Sequence, residues 1–227
     1  MENLKGKIKA VIFDMDGTII LTDHIWGEVV REYLHETGIR VFTAKDVQYL
    51  DSMSGMSMKS AAKSVKLHFG LPHNTDQIAA RKMELANIRF RKGVKFIEGF
   101  EQFHKALRDH GIPSGIGTNA TPENLEPLTE SMKFRTFFGE HIYGIAHVNY
   151  VAKPDPTLFL HVAAKLGVKP EECIVFEDSI YGFQAAKAAG MKCIAIKSPN
   201  NHHLLEHAHA AIDSYHEAID ALKKLLL

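Results

Sequence analysis

Asp14 and Asp16 stand one residue apart at the end of the apolar run Val11-Ile12-Phe13, and Gly17 and Thr18 follow them. Carboxylates that close repel each other unless a cation, a proton or a ligand's hydrogen bonds relieve the pair. Magnesium suits that need, because it takes oxygen ligands and commonly uses one or two carboxylates together with a substrate phosphate. The plainer reading of the same residues is an acidic turn, since Asp and Gly are ordinary turn formers. Three later groups bear on the choice: Thr118-Asn119, Lys153-Pro154 and Glu177-Asp178-Ser179, each at a predicted strand end or helix start. Singly they are a commonplace turn, a loop cation and a helix cap. Brought to one place, they provide a nucleophile, phosphate ligands and a metal site.

A parallel sheet would bring them there. A strand buried on both faces is nearly all hydrophobic, as residues 11–13 are, and ligands of open α/β sheets bind outside the carboxyl ends of the strands. Further strands are predicted at 112–118, 142–146, 173–176 and 192–196, with a short edge strand at 210–212. Helices alternate with them: from Phe100 to just before Gly111, from Thr121-Pro122 onward, from Asp155-Pro156 to Gly167, from Ser179 to Ala189, and from Tyr215 to Leu226. This alternation predicts an α/β fold, a parallel Rossmann-like sheet with right-handed crossovers and helices on both faces. Between the first strand and the remainder the pattern is helical only. Trp26, Val29, Val30, Tyr33 and Leu34 repeat at helical spacing, and helices follow over 44–50, 58–69 and 75–91. The expected organisation is a catalytic core of residues 1–20 and 95–227 and an inserted helical cap of residues 21–94, placed where a hinged lid would cover the acidic loop.

Composition excludes several classes. Lys plus Arg equal Asp plus Glu at 27 each, so no general field draws the chain to nucleic acid or an anionic membrane. Hydrophobic residues at 45% and charged residues at 24% are those of a globular domain and argue against disorder. Cys173 and Cys193 fall in or beside predicted strands, as small buried hydrophobes of a reducing compartment do. The first nine residues have neither the length of a membrane span nor a small-residue cleavage site. A cytoplasmic monomer with a small-molecule partner is expected.

On Asp14-Met15-Asp16-Gly17-Thr18, Thr118, Lys153 and Glu177-Asp178, taken in that order, the chain resembles the haloacid dehalogenase-like superfamily of phosphohydrolases and phosphomutases. The resemblance covers nearly the whole sequence, is closest to the subgroup of β-phosphoglucomutases and small-metabolite phosphatases, and matches the helical block to that group's cap. It implies Asp14 as the nucleophile that forms an aspartyl-phosphate and Asp16 as the acid and base. It implies Mg2+ held by Asp14, the Asp16 carbonyl and Asp178, with Glu177 as an inner- or outer-shell partner. Lys153, Thr118 and the loop residues Gly17 and Asn119 would hold the phosphoryl oxygens. Independently of the resemblance, one carboxylate must be ionised to attack while the other carries a proton, so their environments must differ.

Branches of the family are separable by residue type. Dehalogenases of this superfamily lack the second aspartate, so Asp16 favours phosphate chemistry. The mutase pattern has an arginine at the position of Met58 and a histidine at that of Trp26, which favours a phosphatase, although Lys59 could serve as a point charge. Phosphonoacetaldehyde hydrolase uses a cap lysine as a Schiff base, and Lys59 lies one residue from that spacing. Candidate cap contacts to substrate are His24, Trp26, Ser57 and Lys59, while His202, His203, His207 and His209 read as a solvated face. Response-regulator receivers share a magnesium pocket and a phosphate-accepting aspartate, but have neither an acid two residues on nor a helical lid. A degenerate interaction protein is a second non-enzymatic alternative, yet every expected carboxylate is present. The expected function is a magnesium-dependent phosphatase of a small phosphorylated metabolite such as a sugar phosphate, with a β-phosphoglucomutase-like mutase as the alternative.

Overall fold

The computed structural model describes residues 8–225. The charged amino-terminal stretch up to residue 7 and the expected helix end at Leu226 lie outside these residues. Ala10–Phe13 (β1) is buried at every position, as an all-apolar strand must be. It pairs with Ser114–Thr118 (β2) on one side and Cys173–Glu177 (β4) on the other. Ile142–Gly144 (β3), Lys192–Ile196 (β5) and Ala210–Ile212 (β6) complete a six-stranded parallel sheet of order β3-β2-β1-β4-β5-β6. Phe13 is in register with Ile116 and Phe176, so residues just beyond these emerge at one edge. That register is what gathers Asp14, Thr118 and Glu177.

Side chains of β1 alternate between two core layers, as period-two geometry requires. Val11 and Phe13 point into the larger layer and Ala10 and Ile12 into the other. Phe100–Asp109 (α5), Pro122–Ser131 (α6), Phe134–Phe138 (α7) and Ala218–Leu225 (α10) bury residues in the larger layer. Thr157–Leu166 (α8) and Ile180–Ala188 (α9) cover the opposite face. Phe13 stacks on Phe176 at 5.4 Å and meets Phe100 edge-on at 5.7 Å, so the strand carrying the acidic loop is gripped by aromatic rings.

Besides a later start of the second strand at Ser114 and short 3-10 turns at Pro170–Glu172 and Tyr215–Glu217, two elements differ from the sequence expectation. The third strand stops at Gly144 and continues as a 3-10 turn over Ile145–Val148, because Ile145 and Val148 both turn inward at helical spacing. The five-residue α7 was not anticipated: its run of β-formers coils because Phe134 and Phe138, one turn apart, are both buried.

Between β1 and α5 the chain forms Asp23–Glu36 (α1), Ala44–Asp51 (α2), Met58–Phe69 (α3) and Thr75–Phe90 (α4). Thr43 with Asp46 and Asn74 with Gln77 make reciprocal capping boxes at the starts of α2 and α4. Helices α1 and α4 pack together, and Arg81 grips Glu36 at 2.6 Å while Arg89 reaches Glu28 at 3.0 Å. The entering and leaving chains run side by side, with the Leu21 amide on the Lys95 carbonyl at 2.9 Å and that of Ile97 on Ile19 at 2.8 Å. No helix among the described residues is long and apolar enough to cross a membrane.

Tyr215 sits among Phe13, Phe100, Phe103 and Phe176, fully enclosed, and its hydroxyl donates to the Thr18 carbonyl at 2.9 Å. It thus props the acidic loop from beneath. Tyr215→Phe removes only that hydroxyl, and the lost buried hydrogen bond should cost about 1 kcal/mol. Thermal unfolding of the variant is expected to show a melting point about 2–4 °C lower; an unchanged value would mean the loop does not lean on this contact.

Candidate active site

Asp14 is the first residue past β1, and its amide still donates to the Phe176 carbonyl at 3.0 Å, so its carboxylate leaves the sheet between β1 and β4. Lys153 arrives from the loop ahead of α8, with a side chain that is buried. Its Nζ donates to Asp14 Oδ1 at 2.6 Å and to Glu177 Oε1 at 2.7 Å, above the Phe159 ring at 4.4 Å. The second oxygen of Glu177 accepts from the Asp178 and Ser179 amides at 2.8 and 2.7 Å and from the Ser179 hydroxyl at 3.0 Å. Both Glu177 oxygens are thereby engaged, by the lysine and by the start of α9, rather than turned to an open position. Ser179 in turn accepts from the Gly182 amide at 3.1 Å, capping α9.

Asp178 is buried beside them. Its Oδ1 accepts from the Thr18 hydroxyl at 3.2 Å, and its carbonyl accepts from Asn201 Nδ2 at 2.7 Å, an amide that also bonds the Ile196 carbonyl at 2.8 Å. Asp16 faces the helical insertion, where Trp26 Nε1 donates to its Oδ1 at 3.2 Å. Thr118 ends β2 buried, its hydroxyl accepting from the Ala120 amide at 3.2 Å. Asn119 spans the two parts of the molecule, with Oδ1 accepting from the Lys153 amide at 2.9 Å and Nδ2 donating to the Gly55 carbonyl at 3.0 Å. Gly17 makes the turn at φ 74°, and its amide donates to the Ile20 carbonyl at 2.9 Å.

Burial pushes the Asp14 carboxyl up to about 8, with Lys153 opposing the rise and Glu177 and Asp16 adding to it. Asp16 is also raised by burial, against the side chains of Thr22 and Trp26 and the charge of Lys153. Burial disfavours the Lys153 ammonium, but Asp14 and Glu177 outweigh it and raise the lysine. Two buried carboxylates, Asp14 and Glu177, share the one Lys153 ammonium, a balance that leaves room for a further cation at this edge. Its oxygen donors would be the Asp14 and Asp178 carboxylates and the Asp16 carbonyl, a hard set that fits magnesium. Among the described residues no three acidic, histidine or cysteine side chains converge into a cage. Magnesium does not need one, because it keeps waters and takes substrate oxygens.

A cleft of about 150 Å³ lies between this edge and the insertion, floored by Asp14, Asp16, Thr118 and Asn119 and roofed by Trp26 and Met53, Met56 and Met58. The other cap candidates lie elsewhere. His24 is exposed beside Glu28 and Lys92, the Ser57 hydroxyl caps α3 by accepting from the Ser60 amide, and Lys59 stands on the solvent face 3.9 Å from Asp76. Arg31, Lys82 and Asn124 line the cleft and were not anticipated. One signal was readable: Lys82 lies four residues after Ile78 and three before Leu85, inside the buried stripe of α4.

Two glycines hold the parts at contact distance. A side chain at Gly55, which also has φ 77°, would begin 2.3 Å from the Ser179 Cβ, and one at Gly182 would begin 1.8 Å from the Glu177 carboxyl. Gly182→Ala should displace Glu177 from Lys153. The expected result is a stability loss of about 1–3 kcal/mol from overpacking, read by denaturant titration, together with loss of turnover. An alanine variant with parental stability and activity would show that Glu177 is not confined by α9.

Residues 11–196 match the model of haloacid dehalogenase-like hydrolases. The chain is 30% identical over 229 residues to the probable pseudouridine-5'-phosphatase of Saccharomyces cerevisiae, an alignment covering 96% of this chain and 94% of that protein. It is 30% identical over 215 residues to the bifunctional riboflavin kinase/FMN phosphatase of Arabidopsis thaliana, covering 93% of this chain but 55% of that protein, so it spans about half of that relative's length. A haloacid dehalogenase-like protein of unknown function from Agrobacterium tumefaciens shares the fold with a TM-score of 0.80 at 24% identity, over 97% of this chain and 100% of that one. With the match running from β1 through β5, the chain belongs to the haloacid dehalogenase-like hydrolase family.

Proposed function

We propose that this chain is a magnesium-dependent phosphatase of a small phosphorylated metabolite, working through an aspartyl-phosphate on Asp14. The observation that carries the reading is the environment of the two aspartates. Burial raises both carboxyls, but Asp14 has the hydrogen bond and charge of an ammonium 2.6 Å away opposing that rise, and magnesium would add to the opposition on binding, whereas the Asp16 oxygen accepts from a neutral indole. Two relatives with phosphatase names support the same reaction class.

In the proposed sequence an Asp14 oxygen attacks phosphorus in line, forming the Asp14 O–P bond as the ester P–O bond breaks. Asp16 gives its proton to the departing oxygen. It then takes a proton from a water, whose oxygen attacks the same phosphorus and releases phosphate and the Asp14 carboxylate. Lys153 offsets charge on Asp14 and on the phosphoryl oxygens, and Thr118 donates to one of them. Magnesium bound at Asp14 and Asp178 would neutralise charge spread over the equatorial oxygens, where positioning and electrostatics do most of the work. Glu177 acts through Lys153 and the α9 amides. A β-phosphoglucomutase-like mutase is the second reading, kept by the two cations, Arg31 and Lys82, that line the cleft.

The test is release of inorganic phosphate from p-nitrophenyl phosphate with magnesium. Asp14→Asn should fall to background, and Asp16→Asn should lose about 10²–10⁴-fold on alkyl phosphates, with less loss on the aryl ester, whose leaving group needs little acid. An Asp14→Asn variant with parental turnover would refute the mechanism. A separate expectation follows from linkage. A carboxyl at about 8 folded, against an ordinary 3.8, binds its proton more tightly in the folded state, so stability declines as pH rises between those values. In chelator, Asp14→Asn should melt higher than the parent at pH 8, and calorimetry should show the difference shrinking towards pH 4.

A further inference from the structure

The pairing of β4 with β5 ends at Glu177 opposite Ala195. The next pair in that register is Asp178 opposite Ile196, and there a side chain takes the place of the ladder. Asn201, from the turn after β5, donates through Nδ2 to the Asp178 carbonyl at 2.7 Å and to the Ile196 carbonyl at 2.8 Å. A side-chain amide has two N–H donors, so both are spent on the two strand ends. Its Oδ1 accepts from the Ser198 amide at 2.9 Å, its own carbonyl accepts from the Leu204 amide at 2.8 Å, and the residue is buried. Asn201 is thus fixed by its own turn as well as by both strands.

The bond to Asp178 completes the support of that residue's backbone. The amides of Asp178 and Ser179 both donate to Glu177 Oε2, at 2.8 and 2.7 Å, and the other Glu177 oxygen is held by the Lys153 ammonium at 2.7 Å. On its N–H side the Asp178 backbone is therefore tied to the charged pair that serves Asp14. On its carbonyl side it is tied through Asn201 to the end of β5. An asparagine that only closed the turn after β5 would need the Ser198 and Ile196 bonds, whereas the bond to Asp178 reaches a different strand. Without it the peptide between Asp178 and Ser179 loses its buried donor and can rotate, and the Asp178 carboxylate moves with the backbone that carries it. A metal ligand must be held to about 0.5 Å by the groups behind it.

We propose that Asn201 is a positioning residue for the cation site: acting through the Asp178 carbonyl, it holds the Asp178 carboxylate where magnesium would bind. This rests on the magnesium-dependent phosphatase reading and adds to it a residue that lies outside the four strand-end groups. Asn201 touches neither the reacting atoms nor the metal, so its loss should weaken magnesium and spare the chemistry once magnesium is supplied in excess.

Thermal melts of the full chain at rising magnesium concentration test this without turnover, because a ligand that binds only the folded state raises the melting point according to its concentration relative to its dissociation constant. For Asn201→Ala, the magnesium needed for a given rise should be about 10–100-fold that of the parent, the range lost when an outer partner of a metal ligand is removed. Phosphate release from p-nitrophenyl phosphate should show the same factor in its magnesium midpoint, with turnover and KM at saturating magnesium close to the parent's. Asn201→Asp keeps the shape and removes both donors, and it carries the comparison if the alanine variant does not fold. Its added negative charge would by itself tighten a cation, so weaker magnesium there reports lost placement. Leu204→Ala loosens the same turn but leaves the bond to Asp178, and should lower the melting point without moving the magnesium midpoint. A parental magnesium response in a folded Asn201 variant, or an equal loss of response in Leu204→Ala, overturns the inference and leaves the phosphatase reading standing. A parent whose melt and turnover both ignore magnesium refutes the magnesium dependence and the inference together.

Discussion

The ammonium of Lys153 between Asp14 and Glu177 constrains the structure around it. Burying charged groups is repaid only when the geometry is good and the remaining hydrogen-bond capacity is filled. The fold meets both conditions from separate elements. Helix α8 packs on β1 and β2, which sets the residue just ahead of it over the strand ends. Helix α9 directs two amides at the far oxygen of Glu177, and the partial positive charge of a helix start suits a carboxylate there. Gly182 clears the space Glu177 occupies, and Asn119 fixes the backbone of Lys153 itself. The arrangement is costly to assemble and has little to offer as a stabilising device, which is consistent with a chemical purpose for it.

The helical insertion is tied to the same constraint. Asn119 accepts from the Lys153 amide with one end and donates to Gly55 of the insertion with the other, so the seating of the insertion and the placement of the lysine share a side chain. Trp26 does the equivalent at Asp16, braced by the Phe90 ring at 5.6 Å. If the insertion swings about its paired entry and exit chains, both contacts open together. The proposed acid would then lose its orientation at the moment the site admits water. Closing the cleft and completing the catalytic constellation become a single event, as lid-gated enzymes require.

What could be read from sequence follows from how parallel sheets are built. A strand's apolar run and the polar residues that end it are neighbours in the chain, so Asp14, Thr118, Lys153 and Glu177 could each be placed at an edge before their neighbours were known. Adjacency of the strands then brought them together. The residues that were not foreseen act across the chain. Tyr215 reaches Thr18 from the carboxyl-terminal end, and Asn201 steadies the loop of Asp178 from beyond β5. No local pattern marks either one. The cap cations show the difference most clearly. Lys59 was singled out by its distance from Gly55 along the chain, but on α3 that distance turns it to solvent. Lys82 stood inside an apolar stripe, where a charged residue breaks the helical period, and the period was the better guide.

This contrast separates two kinds of information in the chain. The groups proposed to handle phosphate sit at positions set by backbone register, and register tolerates few alternatives, so they form motifs. The side chains that line the rest of the cleft sit on helix faces from α1, α4 and α6, where many side chains can be accommodated and spacing carries no fixed meaning. Their imprint is energetic: among the described residues, a lysine with no counter-ion and an amide oxygen with no donor, in an interior that ordinarily satisfies both.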